Sequence, residues 1–114
     1  MSFVGRHLIL NISNIENVKI LEKVDDIYLL VIDIVQKLNL NSIKIVKHQF
    51  EPYGSTVVAV LKESHLALHS YFKERALSLD CYTCNSNTDF DLLCHIVYLF
   101  FEKKCKIEKI ILNR

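Results

Sequence analysis

The sequence is poor in the residues that interrupt regular structure, with two glycines and one proline in 114 positions. That scarcity excludes collagen-like and low-complexity chains. An excess of one charge is also missing, since 14 Lys+Arg offset 13 Asp+Glu for a net +1. Without a basic run there is no electrostatic footprint for nucleic acid. No apolar run approaches the ~20 residues of a membrane helix; the longest are broken by Asp33, Lys62 and Glu63. Met1-Ser2-Phe3-Val4-Gly5-Arg6-His7 lacks the apolar stretch of a signal peptide. A cytoplasmic location, no membrane association and four reduced cysteines are therefore expected. Internal repeats, linkers and a glycine-rich phosphate loop are absent as well. What is present is apolar: 51% hydrophobic against 24% charged residues builds a real core and argues against disorder. The length predicts one domain over 1–114.

Arg6 to Ile12 alternates, with Leu8, Leu10 and Ile12 opposite His7, Ile9 and Asn11, which predicts a strand. A helical period follows in Ile27, Leu30, Val31, Ile34, Val35 and Leu38, with Asp25 or Asp26 expected as its N-cap. Asn39 and Asn41 suit the exit turn. Ser42–Phe50 and Ser55–Leu61 read as strands joined by the Glu51-Pro52-Tyr53-Gly54 turn. His65–Phe72 and Ala76–Cys84 alternate on either side of Lys73-Glu74-Arg75. Thr88 is expected to cap a second helix marked by Phe90, Leu93, Cys94, Val97 and Phe101, and Lys106–Leu112 closes the chain as a strand. The order β–α–β–β–β–β–α–β with short connections predicts an α+β two-layer sandwich: a mainly antiparallel sheet with both helices on one face. The other face, carrying Ile, Val and His, is solvated or meets a second copy of the chain.

The polar residues that stand out are Glu63, Ser64, His65, His69, Cys81 and Cys84. Alternation puts His65, His69 and Tyr71 on one face, and Asp80, Tyr82 and Cys84 on one face of the next strand. Two histidines and a cysteine on neighbouring strands can converge, although polar residues on a solvated face are the commoner outcome. Cys81-Tyr82-Thr83-Cys84 has redox or zinc spacing. However, a strand points its two thiols to opposite faces, and no second pair completes a zinc site. Cys94 and Cys105 read as small core hydrophobes. His7 and His48 have no partner spacing, and His95 falls on a helix surface.

Four segments at consistent spacing carry a resemblance: Gly5-Arg6-His7-Leu8, Phe50-Glu51-Pro52-Tyr53-Gly54, Glu63-Ser64-His65-Leu66-Ala67-Leu68-His69 and Asp80-Cys81-Tyr82-Thr83-Cys84. Together they resemble the prokaryotic S-adenosylmethionine decarboxylase proenzymes, which make their own pyruvoyl cofactor. The resemblance implies that Ser64 attacks the Glu63 carbonyl and that the chain divides into 1–63 and 64–114. Residue 64 is then left as the pyruvoyl group. It assigns His69 as the base for the Ser64 Cα proton and Thr56, in place of a family serine, as its assistant. Cys84 is implied as the proton donor that completes decarboxylation through a Schiff base with the substrate amine. Phe50 and Leu66 are implied at the substrate, the former stacking on adenine. A homodimer of processed protomers acting on a small-molecule substrate of polyamine synthesis is implied with it.

One departure is plain. Where bacterial members read Trp-Pro-Glu, this chain reads Tyr71-Phe72-Lys73, and a ribose-binding carboxylate is replaced by a cation. The same machinery acting on ornithine or arginine is therefore an alternative, and an inactive regulatory homologue is a third reading that the retained Ser64, His69 and Cys84 oppose.

Overall fold

The computed structural model describes residues 3–114. Six strands form one sheet: β1 (Arg6–Ser13), β2 (Ser42–Gln49), β3 (Ser55–Leu61), β4 (Ser64–Tyr71), β5 (Ala76–Thr83) and β6 (Lys106–Asn113). Their order across the sheet is β2-β3-β4-β5-β1-β6, and every neighbouring pair is antiparallel. The helices α1 (Val24–Lys37) and α2 (Phe90–Phe100) pack on one face, as expected for this α+β sandwich.

Period two decides which side chains meet the helices. Leu8, Leu10 and Ile12 of β1, Val57 and Ala59 of β3, Leu66 and Leu68 of β4, and Leu77, Leu79 and Cys81 of β5 are buried. They join Ile27, Leu30, Val31 and Ile34 of α1 and Phe90, Leu93 and Val97 of α2 in a single core. At ~1.5–3 kcal/mol per buried large side chain, this layer is the main source of stability.

The opposite face has no helix, and the register arranges it in rows across all six strands. A middle row runs Val46–Val58–Ala67–Asp80–Ile9–Ile110. On one side of it lies Lys44–Val60–His65–Tyr82–His7–Leu112, and on the other His48–Thr56–His69–Ser78–Asn11–Glu108. Val46, Val60, Ile110 and Leu112 are each more than two-fifths exposed, so this face is apolar and open.

Both expected helix caps are corrected. Asp25 and Asp26 lie in the first turn of α1, not at its cap. The free Val24 N–H instead donates to Gln49 Oε1 at 2.7 Å, from the end of β2. Gln49 Nε2 also donates to the carbonyls of Glu22, Phe50 and Gly54, tying the helix start to the β2–β3 turn. At α2 the cap is Asp89, whose carboxylate accepts from the Leu92 N–H at 3.0 Å. Thr88 is buried, and its hydroxyl pairs with that of Thr83. A 3-10 turn at Val18–Leu21 has no counterpart among the expected elements.

Candidate active site

The β3–β4 hairpin turns on two residues, Lys62 and Glu63, because Leu61 and Ser64 are directly paired. Glu63 takes φ = 59°, the left-handed region, where a side chain costs roughly 1 kcal/mol or more. Ser64 is the first residue of β4, so the Glu63–Ser64 bond sits at a strained corner between two inner strands.

The end of β5 comes alongside. The Cys84 N–H donates to Ser64 Oγ at 3.3 Å, and the Cys84 thiol donates to the Glu63 carbonyl oxygen at 3.3 Å. A hydroxyl, the carbonyl that precedes it and a thiol on that carbonyl thus share one corner, beside a cavity of about 270 Å³. Cys84 is exposed, whereas Cys81 points into the core, where burial and then the Asp80 charge push its thiol up to about 12. Only Cys84 of that pair is chemically available, as opposite-face pointing predicts.

Thr56 and His69 form a second group. They are directly paired across β3 and β4, and Thr56 Oγ1 lies 2.8 Å from His69 Nδ1. They border the aromatic cavity, of about 450 Å³, at the opposite end of the sheet from Ser64. Phe50, Tyr53 and Phe72 line it, with Tyr53 stacked on Phe72 at 4.2 Å between ring centres. Lys73 and Glu74 line the same cavity, so the turn offers both a cation and a carboxylate to it. Ser64 and His69, implied as nucleophile and base, are not brought together within one chain. Both lie on β4, five residues apart, which at ~3.3 Å per residue is roughly 16 Å. The side chain of Leu66, implied at the substrate, is fully buried against the helices.

One cluster was not anticipated. His65 Nε2 and His7 Nε2 lie 2.7 and 2.9 Å from the same oxygen, Asp80 Oδ2. Burial works to raise the Asp80 carboxyl, but hydrogen bonds from His65 and then His7 outweigh it and hold the group below its ordinary value. His7 had no partner by spacing because its partner is 73 residues away. The available signal was the alternation of β1 and β5, which puts both residues on the side away from the core.

Comparisons with known proteins agree with this layout. The family model described as S-adenosylmethionine decarboxylase matches residues 6–112. An S-adenosylmethionine decarboxylase proenzyme of Methanococcus maripaludis is 33% identical over 111 residues, covering 96% of this chain and 86% of its own. An S-adenosylmethionine decarboxylase proenzyme 2 of Bacillus cereus is 27% identical over 114 residues, covering 96% and 89%. The crystal structure of the adenosylmethionine decarboxylase from Aquifex aeolicus shares the fold, with a TM-score of 0.89 at 24% identity over 100% of this chain and 92% of that one. Because the matched span takes in the serine corner, the Thr56–His69 pair and every strand that positions them, the chain belongs to the S-adenosylmethionine decarboxylase family.

Proposed function

We propose that this protein is a self-cleaving, pyruvoyl-dependent decarboxylase of S-adenosylmethionine. The observation that carries the reading is the corner at Glu63–Ser64, where the nucleophile, its target carbonyl and a donor to that carbonyl's oxygen are already assembled. Ser64 Oγ attacks the Glu63 carbonyl carbon while the Cys84 thiol donates to the oxygen as negative charge develops there, and the Glu63–Ser64 C–N bond breaks to leave an ester. Loss of the Ser64 Cα proton then expels Glu63 as a carboxylate that keeps the former Ser64 oxygen, and water hydrolyses the resulting dehydroalanine with release of ammonia. The left-handed Glu63 contributes strain that cleavage releases.

The donor set fits a pyruvoyl group at residue 64: a serine hydroxyl on a strand end, open to a cavity, with an available thiol next to it. Such a group supplies an electrophilic ketone for the substrate amine and an adjoining carbonyl that accepts the electrons released as carbon dioxide leaves. Cys84 holds the proton that the substrate carbon then needs.

His69 acts as the base from a second copy of the chain. Roughly 16 Å is far beyond proton transfer within one protomer. The rows of the open face explain how a copy supplies the base. A two-fold axis through the middle row, near Ala67, brings the partner's Thr56–His69 row over the Ser64 and Cys84 end. The exposed Val46, Val60, Ile110 and Leu112 are then covered. With His69 Nδ1–H donating to Thr56 Oγ1, Nε2 is the bare nitrogen that takes a proton. The aromatic cavity takes the planar base of the substrate.

Intact-mass analysis of the purified protein tests the reading, together with carbon dioxide release from S-adenosylmethionine, ornithine and arginine side by side. Two fragments split between Glu63 and Ser64, and turnover of S-adenosylmethionine above the two amino acids, are expected. Ser64→Ala should remain whole. A wild-type chain that stays at 13.3 kDa would overturn the enzyme reading, and preferred turnover of ornithine or arginine would overturn the substrate.

A further inference from the structure

The His7–Asp80–His65 cluster has no part in the chemistry above, yet it lies on the open face one strand position from the scissile bond. Asp80 is on β5, His65 on β4 and His7 on β1, so one carboxylate links three adjacent strands. An ionised carboxylate only accepts, so both imidazoles donate through Nε2–H. Arg114 Nη1 stands 3.5 Å from His7 Nδ1, and the Tyr82 ring packs against both histidines, stacked on His65 and edge-on to His7. The ligating atoms lie within 4.8 Å of one another, a spacing compatible with a metal ion. Against that, both Nε2 atoms aim at one oxygen and a guanidinium stands beside His7.

What the cluster holds changes when the chain is cut. In the intact protein the first residue of β4 is tied to β3 through Lys62 and Glu63. Cleavage at Glu63–Ser64 removes that tie and makes residue 64 a chain end, and chain ends fray unless tied down; β4 is paired with β5 only from His65 onward. The Ser64 hydroxyl that accepts from the Cys84 N–H leaves with Glu63 in the cut, so the first β4 side chain that keeps an anchor on β5 is His65, through Asp80.

We propose that Asp80 is a positioning residue that, through His65 and braced by His7, keeps the newly made end of β4 in register with β5, so that residue 64 stays beside Cys84 after cleavage. This rests on the self-cleavage reading. It assigns the cluster a task that arises only in the cut protein, which separates it from a general contribution to folding.

Hydrogen exchange of the β4 segment 64–71 tests it, compared between cut protein and the uncut Ser64→Ala form, each with and without Asp80→Asn. Asparagine keeps the shape and removes the charge, and His65→Gln provides a second route to the same loss. In the cut protein either substitution should speed exchange of the first β4 amides at least tenfold. In the uncut form those amides should speed up no more than the rest of the sheet does from the lost stability. Equal acceleration in both forms would make the cluster an ordinary stabilising contact and overturn the proposal, as would no acceleration in either. An Asp80→Asn chain that never cuts would place the residue's role before cleavage and also overturn it. A wild-type mass showing no cut would instead fail the self-cleavage reading, so the two failures are distinct.

Discussion

A mixture of two inactive variants offers the sharpest test of a site shared between protomers. His69→Ala keeps Ser64, Glu63 and Cys84 but lacks the base, and Ser64→Ala keeps the Thr56–His69 pair but has nothing to cut. If the roughly 16 Å along β4 separates Ser64 from His69 within one chain, neither variant alone completes cleavage. A heterodimer restores one site of the two. There, Ser64 of the His69→Ala chain faces His69 of the Ser64→Ala chain. Equal amounts with random pairing put about half of each variant into heterodimers. About half of the His69→Ala chains, or about a quarter of all chains, should therefore be cut, and none of the Ser64→Ala chains. The variants are refolded together and followed by intact mass, with a small mass tag marking each. No cleavage in a mixture shown to contain heterodimers would refute the shared site. Cleavage of His69→Ala alone at the wild-type rate would remove His69 as the base.

Four other outcomes follow from particular contacts. Cys84→Ala removes the donor on the Glu63 oxygen, so self-cleavage should slow by about tenfold or more, toward the lower end of oxyanion-donor effects; an unchanged rate in a mass time course would exclude the thiol from this step. Gly5→Ala puts a Cβ 2.7 Å from the Thr83 carbonyl oxygen and from the Tyr82 ring. Overpacking of ~1–3 kcal/mol should lower Tm by ~5–15 °C, and an unaltered calorimetric Tm would contradict the crowding. Asp80 has a depressed carboxyl in the fold, so its contribution is complete above about pH 4 and is lost as pH falls through the lower folded value; urea titrations should show Asp80→Asn less stable than wild type at pH 7, with the difference shrinking as pH falls below about 4. Lys73→Glu adds a hydroxyl acceptor to the aromatic cavity, and kcat/KM for S-adenosylmethionine should rise at least tenfold if one charged hydrogen bond of ~1.5–3 kcal/mol is gained; no gain would mean that Glu74 already fills that role or that the ribose lies elsewhere.

The strands, both helices and their layering were legible because each depends on a local period. The helix caps were not, for a tertiary reason. Asp25 is a good cap by residue type, but Gln49 arrives from the end of β2 and accepts from the Val24 N–H, so the helix begins before Asp25. The site was legible in its residues more than in its arrangement. Alternation correctly placed His65 and His69 on one face and Cys81 opposite Cys84, yet a shared face says nothing of distance along it. The Asp80 cluster depends on β1 inserting beside β5, a pairing across more than 60 residues that no local pattern encodes.

If the chain is cut as proposed, the strand order has a further consequence. Residues 1–63 own β1, β2 and β3, and residues 64–114 own β4, β5 and β6. Across the sheet the pieces alternate: β2 and β3 from the first, β4 and β5 from the second, then β1 from the first and β6 from the second. β1 is enclosed on both edges by the other fragment, so neither piece can peel away as a unit, and neither has a continuous sheet of its own. Before the cut, one chain holds all six strands at high effective concentration. Afterwards the same assembly would require two incomplete partners to find one another. The proposed cleavage would therefore fall after the sheet has closed, and the uncut chain would serve as the template on which its own two-chain product is woven.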